Sequence, residues 1–310
     1  LTLNTDNSNN TSVGSGTVPV TEFTNTVLEL NTSANAGTTT TVGGMTTVPG
    51  LSTSQVATTR FKDLQQATIT GGSDVNLKAQ LGGKNVANLQ VDAGDATGAL
   101  DIGLVAAQTI NYTGSQGDDA LWISPFASGS QISLGAGADK IAINSSWMAV
   151  ADGARPGVIN LDLGSGSGDG DDQVEIYPAG SSNPALLMVT NFNSGDSFTL
   201  KDDIISGQVA DLDNVFGVKY TEKGKLVGLI NAFTGSTIDY SAVTLSQDGG
   251  VGYTTANGVT TAWFTVIKGE SAGSNVEGAV SGQNVVLVGV QGSAVQSGDG
   301  IDTYGDWSVA

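Results

Sequence analysis

Three short stretches hold the residues of this chain that could do chemistry: "GSQGDDALW" (114–122), "LGAGADKIA" (134–142) and "SGDGDDQVE" (167–175). Laid over one another, they place glycine at the second or fourth position and aspartate at the sixth. An aliphatic residue follows at the eighth, as Leu121, Ile141 and Val174. A glycine-rich turn can curl its carbonyl oxygens toward one point, because glycine accepts positive φ. The aspartate adds a carboxylate, and the aliphatic residue two places on turns inward and anchors the turn. This is oxygen chemistry, suited to a hard cation. Calcium takes about six to eight oxygens. One turn supplies too few, so an ion is expected between turns of neighbouring chain segments. Asp119, Asp139 and Asp172 are the leading ligand candidates, and Asp118, Asp169 and Asp171 stand beside them. Gly117, Gly137 and Gly170 would offer carbonyl oxygens, and Gly135 and Gly168 complete the candidate set. In the first and best-formed turn, Asp119→Ala is expected to weaken calcium-dependent folding more than Asp118→Ala. The competing reading is a set of solvated turn aspartates with no metal.

The composition favours cations over other partners. Among 310 residues, 30 are Asp or Glu against 11 Lys or Arg, for a net charge of −19. Such a chain attracts cations and repels nucleic acid, which binds through Lys and Arg. Cysteine and histidine are absent, which removes disulfides, thiolate zinc sites, HExxH metalloproteases and Ser-His-Asp hydrolases. The paired carboxylates Asp118 and Asp119 are neighbours on one turn and do not flank a bond from two sides, as glycoside hydrolysis requires. No enzyme is expected. No apolar run approaches 18 residues, so no membrane insertion is expected. The opening residues read as a mature or trimmed end, not a signal peptide.

The elements that position the turns are short strands. Of the acidic residues 24 are Asp and 6 are Glu, and there are 44 Gly. Asp and Gly favour turns, so long helices are not expected. Residues 1–65 form a Thr/Asn-rich β or extended segment, with "TNTVLELNT" (24–32) as a strand. From residue 66, runs of about five to eight residues with apolar positions two apart follow one another from "QATITGG" to "DQVEIYP", separated by turn residues. Glycine-preceded aspartates recur at Asp74, Asp95, Asp119, Asp139, Asp172 and Asp196, at intervals of 21, 24, 20, 33 and 24. The longest interval holds "SSWMAVADGARPG" (145–157), which reads as a loop insertion. A coil of two strands and two turns needs about 20 residues, so 66–205 is expected to be a parallel β-roll or β-solenoid. An irregular β-sandwich is the alternative. Residues 206–310 read as a smaller β-rich domain. It contains a helix in "SGQVADLDNVFG" (206–217) and buried strands in "TAWFTVIKG" (261–269) and "QNVVLVGV" (283–290).

The three turns resemble the calcium-binding nonapeptide G-G-x-G-x-D-x-U-x of RTX proteins. "LLMVTNFNSGDSFTLKD" (186–202) is similar to the strand pair that closes such arrays, with Val189, Phe192 and Leu200 as core. "TTAWFTVIKGE…QNVVLVGVQG" (260–292) is similar to the C-terminal module of RTX S-layer proteins. The resemblance implies an all-β calcium-dependent fold and export through a type I secretion system. It also implies a structural protein at the extracellular bacterial surface, whose partner is its own kind in a lattice or fibre. A calcium-dependent adhesin that binds cell-surface polysaccharide is the second reading. The turns depart from the consensus where Ser115, Leu134 and Ser167 replace glycines, and they are not in tandem.

Overall fold

The fold is taken from a computed structural model. It describes residues 1–4, 11–13, 21–32, 37–43, 59–81, 86–104, 109–123, 129–144, 157–177, 185–200, 223–245, 251–267, 285–295 and 306–308. The chain is all-β, with many-stranded parallel sheets and no closed barrel. It divides into two compact units. One contains Leu1–Phe126, Ser130–Ile143 and Leu163–Gln173; the other contains Ala127–Gly129, Asn144–Asp162 and Val174–Ala310. Among the described residues no helix is long and apolar enough to cross a membrane.

The first unit contains β1 (Thr2–Asn4), β2 (Thr11–Val13), β3 (Thr21–Phe23), β4 (Val27–Asn31), β5 (Thr39–Gly43), β6 (Thr59–Phe61) and β7 (Gln66–Thr70). These are followed by β8 (Asp74–Leu81), β9 (Asn88–Asp92), β10 (Leu100–Leu104), β11 (Thr109–Thr113), β12 (Ala120–Ile123), β13 (Ser130–Ser133) and β14 (Lys140–Asn144). From β7 on, successive strands alternate between two sheets. One runs β1-β4-β7-β9-β11-β13 and the other β2-β5-β8-β10-β12-β14. Every pairing printed within them is parallel. Each pair of strands is therefore one coil, stacked on the last. Thr109 faces Asn88 and Lys140 faces Ala120, so one coil spans 21 and 20 residues at these levels. The Thr/Asn-rich residues 1–65 add strands to the same two sheets, since β4 pairs β7 and β5 pairs β8.

The period-2 pattern puts alternate side chains into the space between the sheets. In one sheet Leu28, Ala67, Val91, Tyr112 and Ile132 form an in-register buried column. In the other Leu77, Ile102, Leu121 and Ile141 do the same. The anchoring residues Leu121 and Ile141 are thus core, as their place in the turn motif predicts. The turns between β11 and β12 and between β13 and β14 stack on the side where the chain crosses from the first sheet to the second. They pack backbone on backbone. A Cβ built on Gly114 would lie 1.7 Å from the Leu134 carbonyl oxygen and 2.8 Å from Asp119 Oδ2.

The second unit contains β15 (Gly157–Asp162), β16 (Gln173–Tyr177), β17 (Ala185–Thr190), β18 (Ser197–Leu200), α1 (Lys223–Thr234), β19 (Val243–Leu245), β20 (Gly252–Ala256), β21 (Val259–Ile267), β22 (Val285–Gln291) and β23 (Asp306–Ser308). Here β15, β17 and β22 pair parallel, after which β22, β21, β20 and β19 pair antiparallel. The reversal has a local cause. Asn257 and Gly258 have φ of 53° and 80°, the left-handed pair that a tight hairpin requires. Val189, Phe192, Trp263 and Phe264 are buried, and the Phe198 and Phe264 rings meet edge to face with centroids 5.2 Å apart. Helix α1 differs from expectation. "KGKLVGLINAFT" reads as a lysine cluster with two glycines, which are poor helix formers. Yet Leu226, Val227, Ile230 and Phe233 share one helical face and pack with Leu186, Val243, Trp263 and Leu287. Burial of that face outweighs the propensity cost. The helix expected at 206–217, Trp147 and the side chain of Leu200 lie outside the described residues.

The stacked turns make a test of the packing. Gly114→Ala forces its methyl into the Leu134 carbonyl and is expected to cost about 1–3 kcal/mol or more. Gly168→Ala meets only the Ala136 Cβ at 3.6 Å and is expected to stay within about 0.5 kcal/mol of wild type. Urea midpoints of the two variants check this.

Candidate metal centre

Asp119, Asp139 and Asp172 form a column. Asp119 and Asp139 share the inward phase of the strands that follow them, since Ala120 and Lys140 are exposed while Leu121 and Ile141 are buried. The three carboxylate residues are 2%, 1% and 1% exposed. The lateral pairing places them one above another. Lys140 N donates to the Asp119 carbonyl at 2.7 Å, and Gln173 N donates to the Asp139 carbonyl at 2.8 Å. Each carboxylate also reaches back one coil. Oδ1 of Asp119 accepts from Leu100 N at 2.9 Å, Oδ1 of Asp139 from Asp119 N at 2.7 Å, and Oδ1 of Asp172 from Asp139 N at 2.8 Å. The sequence period of glycine-preceded aspartates is only partly this column. Asp95 is exposed on its turn. Asp74 lies one place away, because Val75 faces Leu100 and Leu100 N meets Asp119.

Asp119 is fully satisfied by the protein. Besides Leu100 N, its Oδ1 accepts from Ser115 Oγ at 2.6 Å. Its Oδ2 accepts from Ser115 N at 2.8 Å and from the Tyr112 hydroxyl at 3.2 Å. Burial raises the Asp119 carboxyl above the ordinary aspartate value, and these donors pull it back down. Burial and the neighbouring Asp119 charge push the Tyr112 phenol well up, so it stays a donor. Ser115 and Tyr112 were not among the expected site residues. The signal for Ser115 was present as a departure from the glycine consensus.

Asp139 is different. Its Oδ1 has the Asp119 amide, but its buried Oδ2 has no hydrogen-bond partner. Burial pushes the carboxyl up to about 8; the Asp119 amide opposes this, and the charges of Asp119, Asp172 and Asp118 add to it. An orphaned buried carboxylate oxygen is costly unless a proton or a cation reaches it. The geometry therefore moves the emphasis from Asp119 to Asp139.

The remaining candidates flank the column. Asp118 is exposed and accepts from Ala138 N at 2.9 Å. Asp171 is exposed and Asp169 is half-buried. Gly137 N donates to the Gly168 carbonyl at 2.9 Å, and Gly170 N donates to the Gly137 carbonyl at 2.8 Å. These carbonyls stitch adjacent turns together and keep one lone pair each. The Gly117 carbonyl accepts Ser115 Oγ at 3.4 Å. Gly135 sits under the Ser115 carbonyl, 2.1 Å from where its Cβ would be. A Cβ on Gly164 would fall 2.2 Å from the Gly135 carbonyl oxygen and 2.7 Å from Asp169 Oδ1. Oxygens of two adjoining turns thus converge where a side chain is lacking. Among the described residues no three acidic side chains meet at one point. A cation here would need backbone carbonyls as most of its shell, and the hard-oxygen donor set fits calcium in kind.

The buried carboxyl has a pH signature in chelator-treated protein. Between about pH 4 and about pH 8 the folded chain keeps the Asp139 proton, whereas the unfolded chain has released it. The native state then binds more protons, so stability falls as pH rises through that window and levels above it. Urea midpoints in chelator are expected to decline from pH 4 to 8 in the wild type and less steeply in Asp139→Asn. Equal slopes in the two proteins would count against this assignment.

Comparison with protein-family models, with curated proteins and with solved structures found no match to this chain.

Proposed function

We propose that this protein is a secreted, calcium-organised structural protein of the cell surface, of the RTX S-layer type. One observation carries the reading: a buried aspartate column in a chain of net charge −19, with the Asp139 Oδ2 left without a partner. Low calcium inside a cell leaves such turns repelling one another, which suits export in an unfolded state through a type I system. High calcium outside neutralises them and favours folding, because an ion bound only by the folded state adds its binding energy to folding. The gain is about 2.7 kcal/mol when free calcium exceeds the dissociation constant about a hundredfold. The same ion screens the negative surfaces of neighbouring copies, so partners in a lattice or fibre are copies of the chain.

A second reading is supported by a separate feature. Gln66, Gln90, Asn111 and Gln131 lie in register and exposed on one sheet. A flat column of amides can hydrogen-bond sugar hydroxyls, as a calcium-dependent adhesin for surface polysaccharide would.

Calcium titration of the purified chain, followed by circular dichroism and light scattering, tests both. The structural reading expects β-structure and ordered assemblies to appear with calcium and to dissolve with chelator. A fold and assembly state indifferent to chelator would refute it. Calcium-dependent folding to a monomer that binds glycan would establish the adhesin instead.

A further inference from the structure

We propose that the aspartate column holds its divalent cation beside Asp139 and not beside Asp119, where Ser115 and Tyr112 take the place of an ion. The inference rests on the calcium reading above and narrows it to one level of the stack.

The two levels share a backbone plan. Tyr112 faces Ile132 across the parallel ladder. Ser115 and Gly135 hold the same place in the two turns, four residues before their aspartates, with the Gly135 Cβ position against the Ser115 carbonyl. Only the chemistry differs. At the first level the Ser115 hydroxyl, the Ser115 amide and the Tyr112 phenol all donate to Asp119. With Leu100 N this makes four hydrogen bonds to two oxygens. A cation would have to displace them. At the second level glycine and isoleucine offer no side-chain donor, and Asp139 Oδ2 is buried with no partner. Gly135 there has φ of 105°, so its amide is not presented as the Ser115 amide is. A carboxylate that gives one oxygen to an amide and keeps the other bare is a ready monodentate ligand. The carbonyl of Gly135 and Asp169 Oδ1, which approach the open side of Gly164, are the nearest hard oxygens of the adjoining turns to complete its shell. The departure from the glycine consensus at Ser115 is thus a substitution of hydroxyl for metal.

The test is isothermal titration of the full chain with calcium chloride, together with thermal melts in calcium and in chelator. D139N is expected to weaken calcium binding by about 100-fold or more, beyond the about 10- to 100-fold typical of groups that only orient a ligand. In chelator D139N should melt no lower than wild type, because the bare charge is gone. S115A and Y112F are expected to melt lower by the same amount with and without calcium, and to keep wild-type calcium affinity. Loss of calcium binding in S115A or Y112F comparable to that in D139N overturns the inference while leaving the calcium reading intact. So does wild-type affinity in D139N. If D139N does not fold, the S115A and Y112F titrations decide alone. A wild-type chain that binds no calcium overturns the calcium reading itself, and this inference with it.

Discussion

Carboxylates stacked at the strand spacing, out of contact with water, set the terms for the rest of the first unit. At about 4.8 Å apart and an effective dielectric near 20, each adjacent ionised pair repels by roughly 3–4 kcal/mol. The chain offsets this with backbone amides first. Every aspartate of the column accepts from the coil before it, so the charge of one coil is tied to the main chain of another. That arrangement needs turns that stack closely, which explains why Gly114 stands where a Cβ would meet the Leu134 carbonyl. It also needs the aliphatic residue two places on. Leu121 and Ile141 hold the turn mouths in register by burying themselves in the core.

The amides do not suffice, and the chain completes the task in two chemically distinct ways on one scaffold. Neutral donors surround Asp119, while Asp139 keeps an oxygen in reserve. The first solution gives stability that does not depend on the medium. The second makes a neighbouring coil conditional on what the medium contains. A stack built of both has a permanent section and a responsive one.

Much of this was legible in the sequence, and the limits have physical causes. The strand runs from "QATITGG" to "DQVEIYP" correspond to β7–β16, because period-2 alternation is enforced wherever one face is buried. The stacking of Asp119, Asp139 and Asp172 followed from their shared place in the turn motif. Asp95 shows where spacing misleads: a glycine before an aspartate marks a turn, but only lateral pairing decides which turn residue points inward. Helix α1 was missed because its glycines weaken the local signal, and only contact with Trp263 and Leu287 makes the helix favourable. The partner of Asp119 was hidden for a different reason. Tyr112 reads as a core aromatic in an alternating strand, which it is, and nothing in a linear pattern says where its hydroxyl ends up.

The coil is asymmetric in a way that bears on how such a chain changes over generations. Where it passes from the first sheet to the second, the turns after β11 and β13 are both six residues long, fixed by their amide and carboxylate contacts. On the opposite crossing the segments after β10, β12, β14 and β16 are 4, 6, 12 and 7 residues long. One edge is constrained by charge and the other is free to vary. Insertions can accumulate on the free edge without disturbing the register of the coils. A display loop grafted at 145–156 would therefore inherit a scaffold whose pitch is kept by the far side.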